Sequence, residues 1–262
     1  MTTKGVGCTM STTHTDSLVE LAARKELPHH QFTDAATVEW IKANRPTFRP
    51  AWPPPLRPTT KALVGQAAIP TRWLAEPRLA NSIHGQRHGL RTAVLAALLA
   101  DWYGLDESET ATVVIAAAVH DSQRRHDKDD TGHGSRAAVW LGANADPVWA
   151  HFRRRPSPSE VIKAATAIRL HEVPYEAFTA DDRADHARTA RICDLLKVAD
   201  ALDRYRLPKR SWWPNAQYVR EPAFDQLLPL AFDLVVISEE AFLARASSVA
   251  AVRFAVAEKG LV

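Results

Sequence analysis

Cysteine is scarce in this chain, since only two occur among its 262 residues. Cys8 and Cys193 are separated by most of the sequence, which excludes a disulfide framework and a cysteine zinc site. No apolar signal core follows Met1. The longest apolar runs, 93–100 and 113–119, are too short to span a bilayer. These absences predict a cytoplasmic protein that does not enter a membrane.

Strong charge of one sign is also absent. The formal net charge of +3 does not by itself indicate a nucleic-acid partner. A short basic run at 152–156 is typical of a solvated face. The stretch 204–220 interleaves aromatic residues with cations, a pattern that suits a base or nucleotide but more often belongs to a loop held against a bundle. Nucleic acid therefore stays possible without being favoured, and the oligomeric state is open.

Alternating strand patterns are missing, and helical periodicity dominates from residue 81 onward. The pattern predicts an all-α bundle of about seven to ten helices. The helices are expected at 34–44, 106–120, 135–143, 159–171 and 184–204, with an amphipathic helix around 88–102 and two or more after Pro222. Residues 1–16 are expected to be disordered, and the six prolines within 46–58 predict an extended connector.

A histidine and an aspartate end the second apolar run, Val113–Val119, as the pair His120-Asp121. Both groups lose water at the end of a buried helix, so they need a partner that compensates, and a divalent metal is the commonest one. His88 lies upstream near the start of a helix, and Asp200 lies downstream in another. The order His, His-Asp, Asp predicts a metal site.

Each of these residues also has a simpler interpretation. His88 could lie at the surface, and His120 could be a neutral core histidine. Asp121 could cap a turn, and Asp200 could pair with a cation on its own helix. We favour the metal site because all four residues occur together in one order.

The ordered set resembles the signature of the HD superfamily of helical metal-dependent phosphohydrolases. The segments His84–Thr92, His120–Arg124 and Ala199–Arg204 are similar to the three motifs of that family, and the resemblance covers about residues 79–207. It implies an HD-domain helical bundle at 79–262 with its C-terminal helices, preceded by an N-terminal extension at 1–78 that contains the proline-rich connector. Asp203 is expected to be turned away from Asp200 and to play no part in metal binding.

The resemblance implies a hydrolase that uses a divalent ion (Mn, Fe, Ni, Co, Zn or Mg) to activate water against phosphorus. One ion is expected on His88, His120, Asp121 and Asp200. A second ion is possible, because His133 and His171 occupy the order seen in dinuclear members, where Asp121 bridges. Both histidines could instead hold a substrate phosphate, or His133 could be a cap and His171 a helix-end cation.

The expected substrate is a nucleotide or a small phosphorylated metabolite, bound by side chains that suit phosphate oxygens. The candidates are Arg91, Arg124, Lys197 and Arg204. Asp121, Arg91 and Lys197 are the expected catalytic residues, the two cations neutralising developing charge. Two other functions remain open: a dinuclear-iron oxygenase of HD type, and a silent nucleotide-binding or partner-binding module.

Overall fold

The computed structural model describes residues 16–49 and 55–261. Residues 1–15 of the segment 1–16 that is expected to be disordered, and part of the proline-rich connector, lie outside these ranges. Eleven α-helices and several short 3₁₀ turns form the described part, in which no β-strand occurs, so the predicted all-α class is confirmed. The helices are α1 (Leu18–Arg24), α2 (Ala35–Ala43), α3 (Pro58–Gln66), α4 (Gln86–Trp102), α5 (Glu107–Val119), α6 (His133–Ala143), α7 (Ala145–His151), α8 (Pro158–Leu170), α9 (Ala180–Leu202), α10 (Phe224–Leu243) and α11 (Ser248–Glu258).

Capping side chains explain several of these boundaries. Asp106 accepts a hydrogen bond from the backbone N–H of Glu109 at 2.8 Å, so α5 begins where the sequence predicts. Helix α9 begins at Ala180, four residues before its predicted start, because Thr179 and Asp182 form a capping box. The backbone of α9 leaves helical geometry at Thr189, where φ is −134°.

Helix α4 forms the centre of the bundle. It packs against α3, α5, α9, α10 and α11, and every residue from Leu90 to Ala100 is buried. The sequence predicts an amphipathic helix here, whereas the structure buries it on all sides because neighbouring helices cover each face. Its first turn, which carries His88, therefore lies deep inside the protein.

The described residues before residue 79 pack onto the same core. Helix α2 contacts α10, and α3 contacts α4 and α5. Ile41, Leu56 and Leu63 belong to the hydrophobic cluster that contains α4 and α5. The loop before α2 is also held, since the backbone N–H of Gln31 donates to buried Asp127 at 2.8 Å. Among the described residues, no helix has both the length and the apolarity needed to cross a membrane.

Candidate metal centre

Six histidine and aspartate side chains meet where five helices converge. His88 lies in the first turn of α4, and Asp200 lies in the last turn of α9. The others stand at helix ends: His120 and Asp121 follow α5, His133 opens α6, and His171 follows α8. The structure thus brings together every residue that the sequence predicts as a metal ligand.

The first subsite contains His88, His120 and Asp200 together with one oxygen of Asp121. The Nε2 atoms of His88 and His120 lie 3.0 Å apart. His88 Nε2 is also 3.3 Å from Asp200 Oδ1 and 3.5 Å from Asp121 Oδ2. His120 Nε2 lies 3.8 Å from Asp200 Oδ1. Four potential donor atoms therefore surround one small volume.

The second subsite lies on the other side of Asp121. Its Oδ1 atom is 2.9 Å from His133 Nε2 and 3.6 Å from His171 Nε2. The two imidazole Nε2 atoms are 3.1 Å apart. Asp121 thus turns Oδ2 toward His88 of the first subsite and Oδ1 toward the second, and Oδ1 also lies 3.8 Å from His120 Nε2.

All four histidines use Nδ1 as the anchoring atom. His120 Nδ1 donates to the Ala117 carbonyl at 2.6 Å, and His171 Nδ1 donates to the Ile168 carbonyl at 2.6 Å. His133 Nδ1 lies 2.8 Å from the Asp130 carbonyl oxygen.

His88 Nδ1 donates instead to the carboxylate of Asp203 at 2.8 Å. In each ring Nε2 is therefore the atom left to carry a proton or an ion. Histidine ligands of metal sites show this arrangement, because the partner of one nitrogen orients the other.

The spacing of these atoms fits a metal ion. Two ligands about 2.1 Å from an ion and about 90° apart are about 3.0 Å from each other. The His88–His120 and His133–His171 nitrogen pairs lie 3.0 and 3.1 Å apart. The buried histidine and aspartate groups can therefore hold a metal ion.

The charges of the site favour a cation. Burial lowers the pKa of His88, but its hydrogen bonds to three carboxylates outweigh this effect and raise the pKa to about 9. Burial also opposes protonation of His133, yet Asp121 raises its pKa to about 10. The pKa of His120 falls to about 3, chiefly through burial. The contact between His88 and His120 accommodates a single proton, whereas one divalent ion can satisfy both nitrogens.

A cavity of about 490 Å³ opens above both subsites. Asp121, His133, His171 and Asp200 contribute to its floor. Four cationic side chains line it: Arg124, Lys197, Arg204 and Arg206. Part of the aromatic stretch 204–220 forms a wall, which includes Trp212 and Tyr218. The volume lies within the usual range for small-molecule sites.

Three of the four predicted phosphate ligands line this cavity. Arg124 Nη1 lies 3.1 Å from His133 Nε2, above the second subsite. Lys197 Nζ donates to the His171 carbonyl at 3.0 Å. Burial lowers the pKa of Lys197 to about 8. The Nε–H of Arg204 donates to the Trp212 carbonyl at 2.7 Å, which holds the aromatic segment near the site.

The expectation that Arg91 binds substrate and takes part in catalysis is wrong. Its guanidinium is buried and lies outside the cavity lining. Its Nε–H donates to Asp203 at 2.5 Å, and Nη1 donates to Glu239 at 2.7 Å. Arg91 does share a face with His88, but that face contacts the end of α9 and α10 instead of the cavity.

Sequence reasoning also misses residues that support the ligands. Asp203 is predicted to play no part in metal binding, and in the structure it accepts a hydrogen bond from His88 Nδ1. Arg206 lines the cavity and lies 3.1 Å from His84 Nδ1. Glu172 accepts from the backbone N–H of Gly134 at 2.8 Å and so fixes the start of α6. The sequence offers a signal for two of them, since Glu172 directly follows His171 and Arg206 lies in the stretch 204–220 that interleaves aromatic residues with cations.

Comparisons of the chain with protein-family models, with curated proteins and with solved structures give no match in any of the three. Membership of the HD superfamily therefore remains a prediction from the motifs. The assignment of a metal centre depends on the distances, the histidine hydrogen bonds and the burial described above.

Proposed function

We propose that the protein is an HD-type metal-dependent phosphohydrolase that acts on a nucleotide or a small phosphorylated metabolite with two divalent ions. The observation that carries this proposal is the sharing of Asp121 between two sets of imidazole nitrogens beneath a cavity lined by cations. His88, His120 and Asp200 would hold one ion with Asp121 Oδ2. His133 and His171 would hold the other with Asp121 Oδ1.

The chain supplies the groups that phosphoryl transfer requires around such ions. Divalent ions held there would polarise a phosphoryl oxygen and supply hydroxide at neutral pH. Arg124 and Lys197 would bind phosphate oxygens and neutralise charge that develops during the reaction. Asp200 is the more exposed of the two carboxylates, at 23% against 7% for Asp121, and it borders the cavity. In this proposal Asp200 would accept the proton of the attacking water.

The ligand set alone does not separate a hydrolase from a dinuclear-iron oxygenase. Imidazole and carboxylate ligands suit iron as well as manganese, cobalt, nickel and zinc. The four cations of the cavity favour a phosphorylated substrate, and this preference leads us to the hydrolase. A silent binding module would have no need of six costly polar groups inside a helical core.

The test begins with metal analysis of protein purified without added metal. The protein is then loaded with Mn²⁺ or Fe²⁺ and assayed against p-nitrophenyl phosphate, its bis ester, nucleotides and sugar phosphates. Oxygen uptake is measured in parallel on the Fe²⁺ form. We expect two ions per chain, phosphate release that EDTA abolishes, and no oxygen consumption.

The matched variants are Asp121→Asn and Asp129→Asn. Both remove one carboxylate charge from the same stretch between α5 and α6, but Asp129 is exposed and outside the cavity lining. Loss of metal and activity only in Asp121→Asn supports the assignment. If metal-loaded protein hydrolyses none of these substrates, the hydrolase proposal is refuted. If the di-iron form consumes oxygen, the oxygenase becomes the better assignment.

A further inference from the structure

A cluster of buried charges connects α10, the helix before α11, to the first subsite. Its members are Arg87 and Arg91 on α4, Asp203 after α9 and Glu239 on α10. None of them is more than 3% exposed. Among these four the guanidinium and carboxylate charges are equal in number, and buried Arg206 approaches Asp203 at 3.5 Å as a third cation. None of the four lines the cavity above the subsites.

Glu239 connects the two arginines. Its carboxylate accepts from Arg87 Nε at 3.0 Å and from Arg91 Nη1 at 2.7 Å. Arg91 in turn grips both oxygens of Asp203, with Nε donating at 2.5 Å and Nη2 at 3.1 Å. The oxygen that receives Nη2 is also the one that accepts the His88 Nδ1–H at 2.8 Å. A continuous series of hydrogen bonds thus runs from α10 to a ligand of the first subsite.

Stability alone does not account for such a cluster. Removing charges from water is costly, and a buried ion pair often stabilises a fold no better than apolar residues of the same size. A carboxylate bonded to the far nitrogen of a metal-binding histidine, however, fixes the orientation of the ring and raises its basicity. The cluster ends on that nitrogen of His88.

We propose that Glu239 is a positioning residue of the metal centre. It holds Arg91, which holds Asp203, and Asp203 aims the Nε2 atom of His88 into the first subsite. Helix α10 is on this view part of the metal site. The inference rests on the proposed metal-dependent function, and it extends that function to Glu239, which lies outside the predicted motifs.

The central experiment compares Glu239→Gln with Glu240→Gln. The two positions are adjacent on α10, but Glu240 is exposed and pairs with Lys42. Mn²⁺ affinity is measured by calorimetric titration of chelator-treated protein. Loss of an outer partner of a metal-binding histidine typically costs about 10- to 100-fold in affinity. We expect a loss of about that size at one site in Glu239→Gln and no change in Glu240→Gln.

A second control separates positioning from stability. Val235→Ala removes buried methyl groups on the same helix and leaves all four charged side chains of the cluster in the chain. It should lower the thermal midpoint while Mn²⁺ affinity stays at the wild-type value. If Val235→Ala weakens Mn²⁺ binding as much as Glu239→Gln does, the positioning role is refuted.

A third measurement needs no ion. The Nδ1–H signal of His88 in proton NMR spectra of chelator-treated protein reports the bond to Asp203, whether or not Nε2 carries a proton. We expect this signal to exchange with water at least about tenfold faster in Glu239→Gln. Wild-type Mn²⁺ affinity or an unchanged signal in that variant would overturn the inference. If Glu239→Gln does not fold, Ser238→Ala, which deletes one hydrogen bond to Arg91, should weaken affinity by about fivefold.

These readouts separate the inference from the proposed function. Metal-loaded wild-type protein without hydrolytic activity would refute the hydrolase, whereas the Mn²⁺ titrations would still decide the role of Glu239. Hydrolytic activity together with unaltered Mn²⁺ binding in Glu239→Gln would refute the positioning role alone. If wild-type protein binds no divalent ion, the proposed function fails and the NMR signal decides whether the cluster holds His88.

Discussion

Replacing Gly134 with alanine should dismantle the second subsite while leaving the first intact. Gly134 is the second residue of α6 and lies against the C-terminal end of α8. A Cβ atom there would stand 2.6 Å from the Ile168 carbonyl oxygen and 3.0 Å from His171 Nδ1. That carbonyl is also the acceptor that orients His171. The carbonyl group cannot rotate away without breaking its hydrogen bond to the His171 imidazole.

The displacement that alanine requires can be worked out from these distances. Ordinary contact begins at 3.4 Å, so the oxygen and the new methyl group must separate by about 0.8 Å. Metal–ligand distances tolerate only about 0.2 Å. His133 moves with α6 and His171 with α8, so their nitrogen atoms should lose the spacing that one ion needs. Overpacking of this kind costs about 1–3 kcal/mol of folding stability.

Gly142→Ala provides the matched control, because this glycine lies on the same helix and is exposed. Apart from its chain neighbours and the backbone of its own helix, no atom lies within 4 Å of the position that an added methyl group would take. The folding stability of this variant should rise by up to about 1 kcal/mol, since alanine favours a helix more than glycine does. Metal content after desalting and thermal unfolding in EDTA are measured for both variants. We expect Gly134→Ala to retain one ion of two and Gly142→Ala to retain both. Two ions in Gly134→Ala would show that the second subsite does not depend on this contact.

Three further predictions concern single side chains. His171→Ala should lose one ion of two by elemental analysis, and unchanged metal content would reject the dinuclear assignment. Asp203→Asn should weaken Mn²⁺ binding about 10- to 100-fold in titrations, whereas wild-type affinity would restore the expectation that Asp203 plays no part. Burial lowers the pKa of Lys197 to about 8, so its ammonium group is charged below that pH and neutral above it. Inhibition by inorganic phosphate should therefore weaken about tenfold as pH rises through 8. The Lys197→Arg variant should stay inhibited up to pH 9. If wild-type protein and the variant show the same dependence of inhibition on pH, Lys197 does not bind phosphate.

The sequence predicts best those residues whose burial or hydrogen bonding follows from their near neighbours in the chain. His120 and Asp121 end an apolar run, so their burial follows from the helix that precedes them. Asp106 is likewise predictable as a cap, because its partner lies three residues away. His171 follows an apolar helix face, and the structure turns it inward as that pattern indicates. Each prediction needs only contacts within about one helical turn.

The sequence does not reveal side-chain partners that are distant in the chain. Arg91 shares a helical face with His88, and periodicity alone cannot tell whether that face meets the cavity or another helix. In the folded chain it meets Glu239, 148 positions later. Asp203 differs from Asp200 by three helical positions, or about 60°. That angle takes its carboxylate away from the subsite and toward the opposite edge of the His88 ring.

The placement of the proposed ligands at helix ends has a consequence for how the site depends on the fold. A ligand within a long loop can adjust to an ion by local backbone movement, whereas one at a helix end moves with the helix. Five helices must therefore pack correctly before six donor side chains come together. Ion binding should in turn favour the packed bundle over the unfolded chain, because the unfolded chain offers no assembled site. Tight packing at the contact between Gly134 and Ile168 and the charge cluster around Glu239 are thus expected to affect metal binding without contacting an ion.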